Sequence, residues 1–362
     1  MPHAAHRQRR LDRRTARGRP RQGSAPLVSA PGAVLGGLAL LLVVASGCAI
    51  AFGSVSVPAG PLVRALLGLP VGPRTASIVL AIRLPRVVMA ALAGCALAQS
   101  GAVLQGLFRN PLADPGLLGV SSGAGFAAVC AIALGLEVHG LWILPLCAFA
   151  GAILATATVY VLAVRRGRMP VLTLILAGVA VSALFAAGTT LILTVSALSQ
   201  NVLAMLNWLF GGLNGILWRQ DATVAPFVLL GGAAMCLFGR ELNLLAAGEE
   251  GAAALGVPVE PVRRMLLALT ALVTAAAVAA AGPIAFVGLM VPHMLRLLIG
   301  ADHRLLLPAS MLGGASFLVL ADLVARVVVR PGEINLGVVT ALVGVPFFLY
   351  LLRRATRGGD AL

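Results

Sequence analysis

The chain has 362 residues, 60% of them hydrophobic and only 11% charged, with a mean hydropathy of +1.00, a balance that excludes both a soluble globular domain and a disordered polar chain. The formal net charge of +15 rests wholly on arginine, because all 27 basic residues are Arg and no lysine is present. The missing lysine excludes a complete P-loop, whose Lys contacts nucleotide phosphates, and Schiff-base catalysis, which needs a lysine amine.

Residues 1–30 form a basic arm, with eight arginines among the first 26 residues. It reads as a disordered cytosolic tail beside anionic headgroups, in preference to a nucleic-acid-binding segment. Apolar runs long enough to cross a bilayer as helix, about 20 residues each, then follow in series. Ten helices are predicted, at roughly 33–53, 87–107, 116–135, 141–164, 171–196, 223–239, 265–281, 284–299, 305–328 and 335–352. The uncharged run 265–295 is too long for one span and breaks naturally at Gly282-Pro283. No alternating segments of ~10 residues suggest a membrane β-barrel. The fold class is therefore an all-α polytopic membrane protein, with one transmembrane domain over 31–357 and a cytosolic loop at 240–264.

Arginine placement orients it. With the N-terminus inside and ten spans, 20 arginines fall inside and seven outside, the latter being Arg64, Arg74, Arg83, Arg86, Arg219, Arg326 and Arg330. This fits the positive-inside rule and leaves both termini cytosolic.

Ionisable residues are scarce within the spans, and most acids fall in loops or at span ends. That argues against an ion-driven carrier, which places such groups mid-membrane. Asp322 lies inside a span, with Arg326 four residues on, and the spacing predicts a local pair near the outer surface. A carrier working without an ATPase would instead depend on Asp322. Five cysteines at 48, 95, 130, 147 and 236 lack any paired or metal-ligand spacing and read as packing residues. Gly119-Val120-Ser121-Ser122-Gly123 matches the nucleophile elbow, but that motif needs a preceding strand. Within a membrane helix, Gly119 and Gly123 read as a close-packing pair.

The inside loop RELNLLAAGEEGAAALGVPVEPVRR (240–264) has the marks of a compact helix. Gly248 caps it, Glu249 and Glu250 occupy the first turn where the helix dipole favours negative charge, and Gly256 supplies a left-handed stop before Pro258. With Leu244, Leu245 and Leu255 exposed, it is shaped to dock into a partner's groove.

Several collinear motifs then stand out: Arg83-Leu-Pro-Arg86, GAVLQGLFRNPLADPGLLGVSSGA from Gly101, WLFGGLNGILWRQ from Trp208, GEEGAAALGV from Gly248, AGPIAFVGLMVPHMLR from Ala281 and PGEINLGVVTALVGVPFFLYLL from Pro331. Over roughly 80–354 the chain resembles the FecCD-type permease subunits of ABC importers for iron-siderophore complexes, haem and vitamin B12. The resemblance implies the type II importer permease fold in the bacterial cell membrane, with ten transmembrane helices. It implies no enzyme activity or cofactor in this chain, with ATP bound on partner subunits. The implied partners are a second permease subunit (identical or paralogous), two ABC ATPase subunits and an extracytoplasmic substrate-binding protein. Arg83, Arg86 and Arg326 match outward-facing arginines that receive acidic residues of the binding protein. Leu245, Gly248, Glu249, Glu250, Leu255 and Gly256 match the coupling helix seated on the ATPase. Val171 and Leu172 lie where the pathway narrows at its cytosolic end. Family frequency favours a ferric siderophore as cargo, with haem or cobalamin as alternatives. The basic arm has no counterpart in the family pattern.

Overall fold

The computed structural model describes residues 31–358 apart from 165, 198–200 and 331; the basic arm lies outside the described residues. Among the described residues, ten apolar helices follow in order. They are α1 Pro31–Ala51, α2 Leu84–Phe108, α3 Val120–Ala133, α4 Ile143–Ala163, α5 Val171–Val195, α6 Trp218–Leu237, α7 Val259–Ala281, α8 Val287–Ile299, α9 His303–Val327 and α10 Leu336–Gly358. Each overlaps one of the predicted segments, without fixing the number of membrane spans at ten. Seven of them (α1, α2, α4, α5, α6, α7 and α9) are long and apolar enough to cross a membrane. The other three apolar stretches are shorter: the 14 residues of α3 rise about 21 Å, against a hydrocarbon core of about 30 Å.

The shortening has local causes. Before α3, Asp114 and Pro115 open a separate 3₁₀ turn, Pro115–Leu118, and Gly119 at φ 76° redirects the chain. Before α8, Gly282 adopts φ 69°, Pro283 lacks an N–H, and Phe286 is left-handed, so the predicted Gly-Pro break consumes five residues. Short helices that hydropathy does not mark complete the outer side: Ala59–Leu66 and Pro73–Ala76 after α1, and Val202–Leu209 after α5.

Helix α2 is the axis of the bundle, buried along nearly its whole length. It packs against α9, α7, α8 and α6. Lipid tails are as apolar as leucine, so helices in a bilayer associate through close van der Waals packing of small residues. The sequence AALAGCALAQSGAV of α2 supplies them. A β-carbon at Gly94 would strike the carbonyl of Gly314 on α9, and one at Gly101 would strike that of Gly288 on α8. Buried amides add cross-links: Gln99 Nε2 donates to the Gly232 carbonyl of α6 at 2.9 Å, and Gln105 Nε2 to Gly288 and Leu289 of α8 at 3.2 Å each. The Gly119/Gly123 motif packs α3 on α4, with Gly123 against Gly151 and Ala155.

Candidate functional site

Residues predicted to lie outside converge at one end of the bundle. A seven-residue π-helical turn, Ser77–Arg83, leads into α2 and directs Arg83 back toward α1. Its guanidinium donates to the carbonyls of Ile50 at 2.6 Å, Ala51 at 3.0 Å and Val55, satisfying orphan acceptors at the negative end of a helix. One turn on, Arg86 contacts Asp322 of α9 at 2.9 Å, Glu333 at 2.8 Å and Asn214 at 2.9 Å. Arg326 holds the other oxygen of Asp322 at 2.9 Å, as the four-residue spacing predicts.

In this chain by itself the three arginines expected to face outward point into these internal contacts. They are 4%, 8% and 2% exposed, because internal anions and carbonyls already take up their charge. Arg64, Arg74, Arg219 and Arg330 are the exposed cations on this side. Glu333 and Asn214, which sequence reasoning did not single out, complete the cluster. Both also line a cleft of about 1040 Å³ with Glu137, Asn207, Gln220 and Asn335.

The opposite end gathers residues predicted inside. Helices Gly239–Ala247 and Glu249–Ala254 meet at Gly248, whose φ of 145° is open to glycine. Glu249 and Glu250 occupy the first turn of the second helix. Its C-terminus closes with the amides of Gly256 and Val257 bonded to Ala253 and Ala252, both at 3.0 Å. With Gly256 at φ 84°, this is a Schellman stop. Leu255 is 66% exposed and Glu250 is exposed, but Leu245 is 3% exposed. Leu245, expected to be exposed, is instead packed inward: on the Gly239–Ala247 helix it lies with buried Leu242 on the face packed toward α2 and α9.

Two polar clasps bind this loop to the spans. Asn243 donates to Asp302 at 2.7 Å and accepts the His303 amide at 2.8 Å, tying Gly239–Ala247 to the start of α9. Arg263 joins Glu249, Glu260 and the Met169 carbonyl. The Asn243–Asp302 and Arg263–Met169 contacts have no signature in a linear pattern, since their partners lie 59 and 94 residues apart, whereas the Arg263–Glu260 pair is local, three residues apart. Val171 and Leu172 form the first turn of α5, Val171 half-buried and Leu172 69% exposed. Leu176, Val179, Leu184 and Leu191 extend that exposed apolar stripe along α5. A second cleft of about 730 Å³ lies under α10, walled by Phe210, Pro283, Ile284, Ala341, Leu342 and Val345 with the carboxylate of Asp114 at its edge.

This arrangement, paired charges at one end and capped amphipathic loop helices at the other, coincides with a family-wide match over residues 39–354 to the FecCD transport family. The chain belongs to that family. It is 50% identical over 282 residues to the cobalamin import system permease protein BtuC of Halobacterium salinarum, covering 78% of this chain and 75% of the relative. It is 43% identical over 288 residues to the vitamin B12 import system permease protein BtuC of Escherichia coli O9:H4, covering 79% and 86%. Among solved structures it resembles an inward-facing putative metal-chelate type ABC transporter, with a TM-score of 0.79, 34% identity, and 89% and 99% of the two chains covered. This FecCD permease is thus a multi-pass subunit of an ABC importer in the cell membrane.

Proposed function

We propose that this permease carries a corrinoid of the cobalamin type, received from a binding protein outside and released to the cytosol by ATP-driven motion of partner ATPases. Support for the cargo comes from the relatives named above, two cobalamin permeases at 50% and 43% identity, which outweigh the family frequency that favours a ferric siderophore. A ferric siderophore is the second reading, kept because the structural relative is a metal-chelate type transporter of unspecified cargo.

The observation that carries the ATPase partnership is the loop helix Glu249–Ala254, opened at Gly248, closed by a Schellman stop at Gly256 and followed by exposed Leu255. Gly248, Glu249, Glu250 and Gly256 shape that helix, and Leu245 anchors it from below. Outside, the exposed arginines and the rim of the Arg86 cluster receive the acidic face of the binding protein; Arg86 engages it by exchanging Glu333, 22% exposed, for a partner carboxylate. The exposed apolar side chains of α5 and of α10, where Leu342, Val345 and Leu349 are exposed, pair with a second permease subunit, and Val171 with Leu172 narrows the pathway at its inner end.

The test is accumulation of cobalt-labelled cyanocobalamin and of iron-labelled siderophore in cells with and without this chain. Loss of cobalamin uptake alone is expected, and loss of siderophore uptake alone would reverse the assignment of cargo.

A further inference from the structure

We infer that Arg263 is a positioning residue that ties the coupling helix to the inner gate, an inference resting on the transport reading above. Two other elements and its own helix supply acceptors to its guanidinium. Nη2 bonds Glu249, the first residue of the loop helix. Nη1 bonds Glu260, in the first turn of α7, and the backbone carbonyl of Met169, both at 3.0 Å. Arg263 is itself only 3% exposed.

Met169 is the penultimate residue before α5, followed only by Pro170 at the helix N-cap. The turn that leads to it is held in a conformation with little intrinsic support: Arg166 sits at φ 51° and Gly167 at φ 78°, and a non-glycine left-handed residue persists only where its surroundings fix it. The neighbouring Arg264 donates to the Gly167 carbonyl, while Met169 is 1% exposed and anchors the turn from within. Arg263 and Arg264 on α7 therefore clamp the turn from which Val171 and Leu172 emerge. A displacement of Glu249–Ala254 pulls on Glu249, passes through a rigid planar guanidinium, and reaches the first turn of α5. A planar fork with several fixed donors can serve three acceptors at once, which a single ammonium does with far less geometric control. The Asn243 clasp runs separately, to α9.

Two readouts test this on the full complex with its ATPase and binding protein, in nanodiscs and proteoliposomes. In Arg263→Met, backbone hydrogen exchange over 166–176 should quicken by about tenfold or more, the scale of one lost charge-assisted hydrogen bond, with α9 unchanged. Uptake per ATP hydrolysed should fall by a similar factor, while the ATPase stays bound and active. Glu249→Gln, at a partly exposed position, should give a weaker form of both effects if Arg263→Met folds poorly. Asn243→Ala should leave the 166–176 segment as in the unaltered chain. Unaltered exchange in Arg263→Met and Glu249→Gln would overturn the inference, as would hydrolysis and uptake declining in proportion. An unaltered complex that hydrolyses ATP without uptake would sink the transport reading instead, and the exchange data would still decide whether the strut exists.

Discussion

Replacing Asp322 by Asn removes one charge and almost no volume from a residue that is 1% exposed and that both Arg86 and Arg326 contact at 2.9 Å. The two arginines suffer unequally. Arg86 keeps Glu333 at 2.8 Å and Asn214 at 2.9 Å. Arg326 is left with long bonds of 3.4 Å to two backbone carbonyls, Phe52 and its own helix's residue 322. The loss is thus one buried cation stripped of its anion, which costs about 3–5 kcal/mol. That is a large fraction of the ~5–15 kcal/mol by which folded domains are stable. The assay is unfolding in mixed micelles of increasing denaturing detergent, read as a double-mutant cycle with Arg326→Met. The double variant removes both charges and should recover most of the loss, giving a large favourable coupling. A single-variant cost under ~0.5 kcal/mol, or a double variant equal to the sum of the singles, would refute the claim that Asp322 is a structural counter-ion. An ion-driven carrier predicts the contrary pattern, an intact fold with transport lost.

Three further outcomes follow from other parts of the molecule. Gly101→Val forces a side chain into the Gly288 carbonyl of α8 and should destabilise by about 1–3 kcal/mol or more, read in the same unfolding assay; unchanged stability would mean that α2 and α8 are not in contact. Leu255→Asp should leave the melting temperature unchanged yet abolish co-purification of the ATPase, whereas Leu245→Ala should cost about 2–5 kcal/mol because Leu245 is buried. At Asp302, the burial that would raise the carboxyl pKa is outweighed by the Asn243 amide, the Arg304 backbone N–H and the Arg304 charge, which hold it below its ordinary value. A depressed folded-state value stabilises above the ordinary carboxylate range and is lost as pH falls through it. The separation between labels on Gly239–Ala247 and the start of α9 should therefore stay constant from neutral pH to about 5 and widen only in stronger acid.

Helix positions were legible because a bilayer imposes length and hydropathy on each span, and the Gly282-Pro283 break and the Asp322–Arg326 pair were legible because both are local. The Gly248 and Gly256 caps were readable for the same reason. Less visible were features that depend on rotation about a helix axis or on distant partners. Leu245 and Leu255 are equally apolar, and only packing sends one inward. Arg83, Arg86 and Arg326 were correctly assigned to one end, but their burial depends on Asp322, Glu333 and the α1 carbonyls, up to 247 residues away. The short helix Val202–Leu209 hid within a long uncharged run because hydropathy does not register where the chain turns.

Coupling to ATP separates an importer subunit from an ion-driven carrier most directly. Proteoliposomes holding this permease with its ATPase and a loaded binding protein would be assayed for uptake of cobalt-labelled cobalamin, with and without ATP inside the compartment that the ATPase faces. The account predicts uptake only with ATP, lost when the ATPase carries a P-loop lysine substitution. Uptake by the permease alone under an imposed ion gradient, indifferent to ATP, would contradict it.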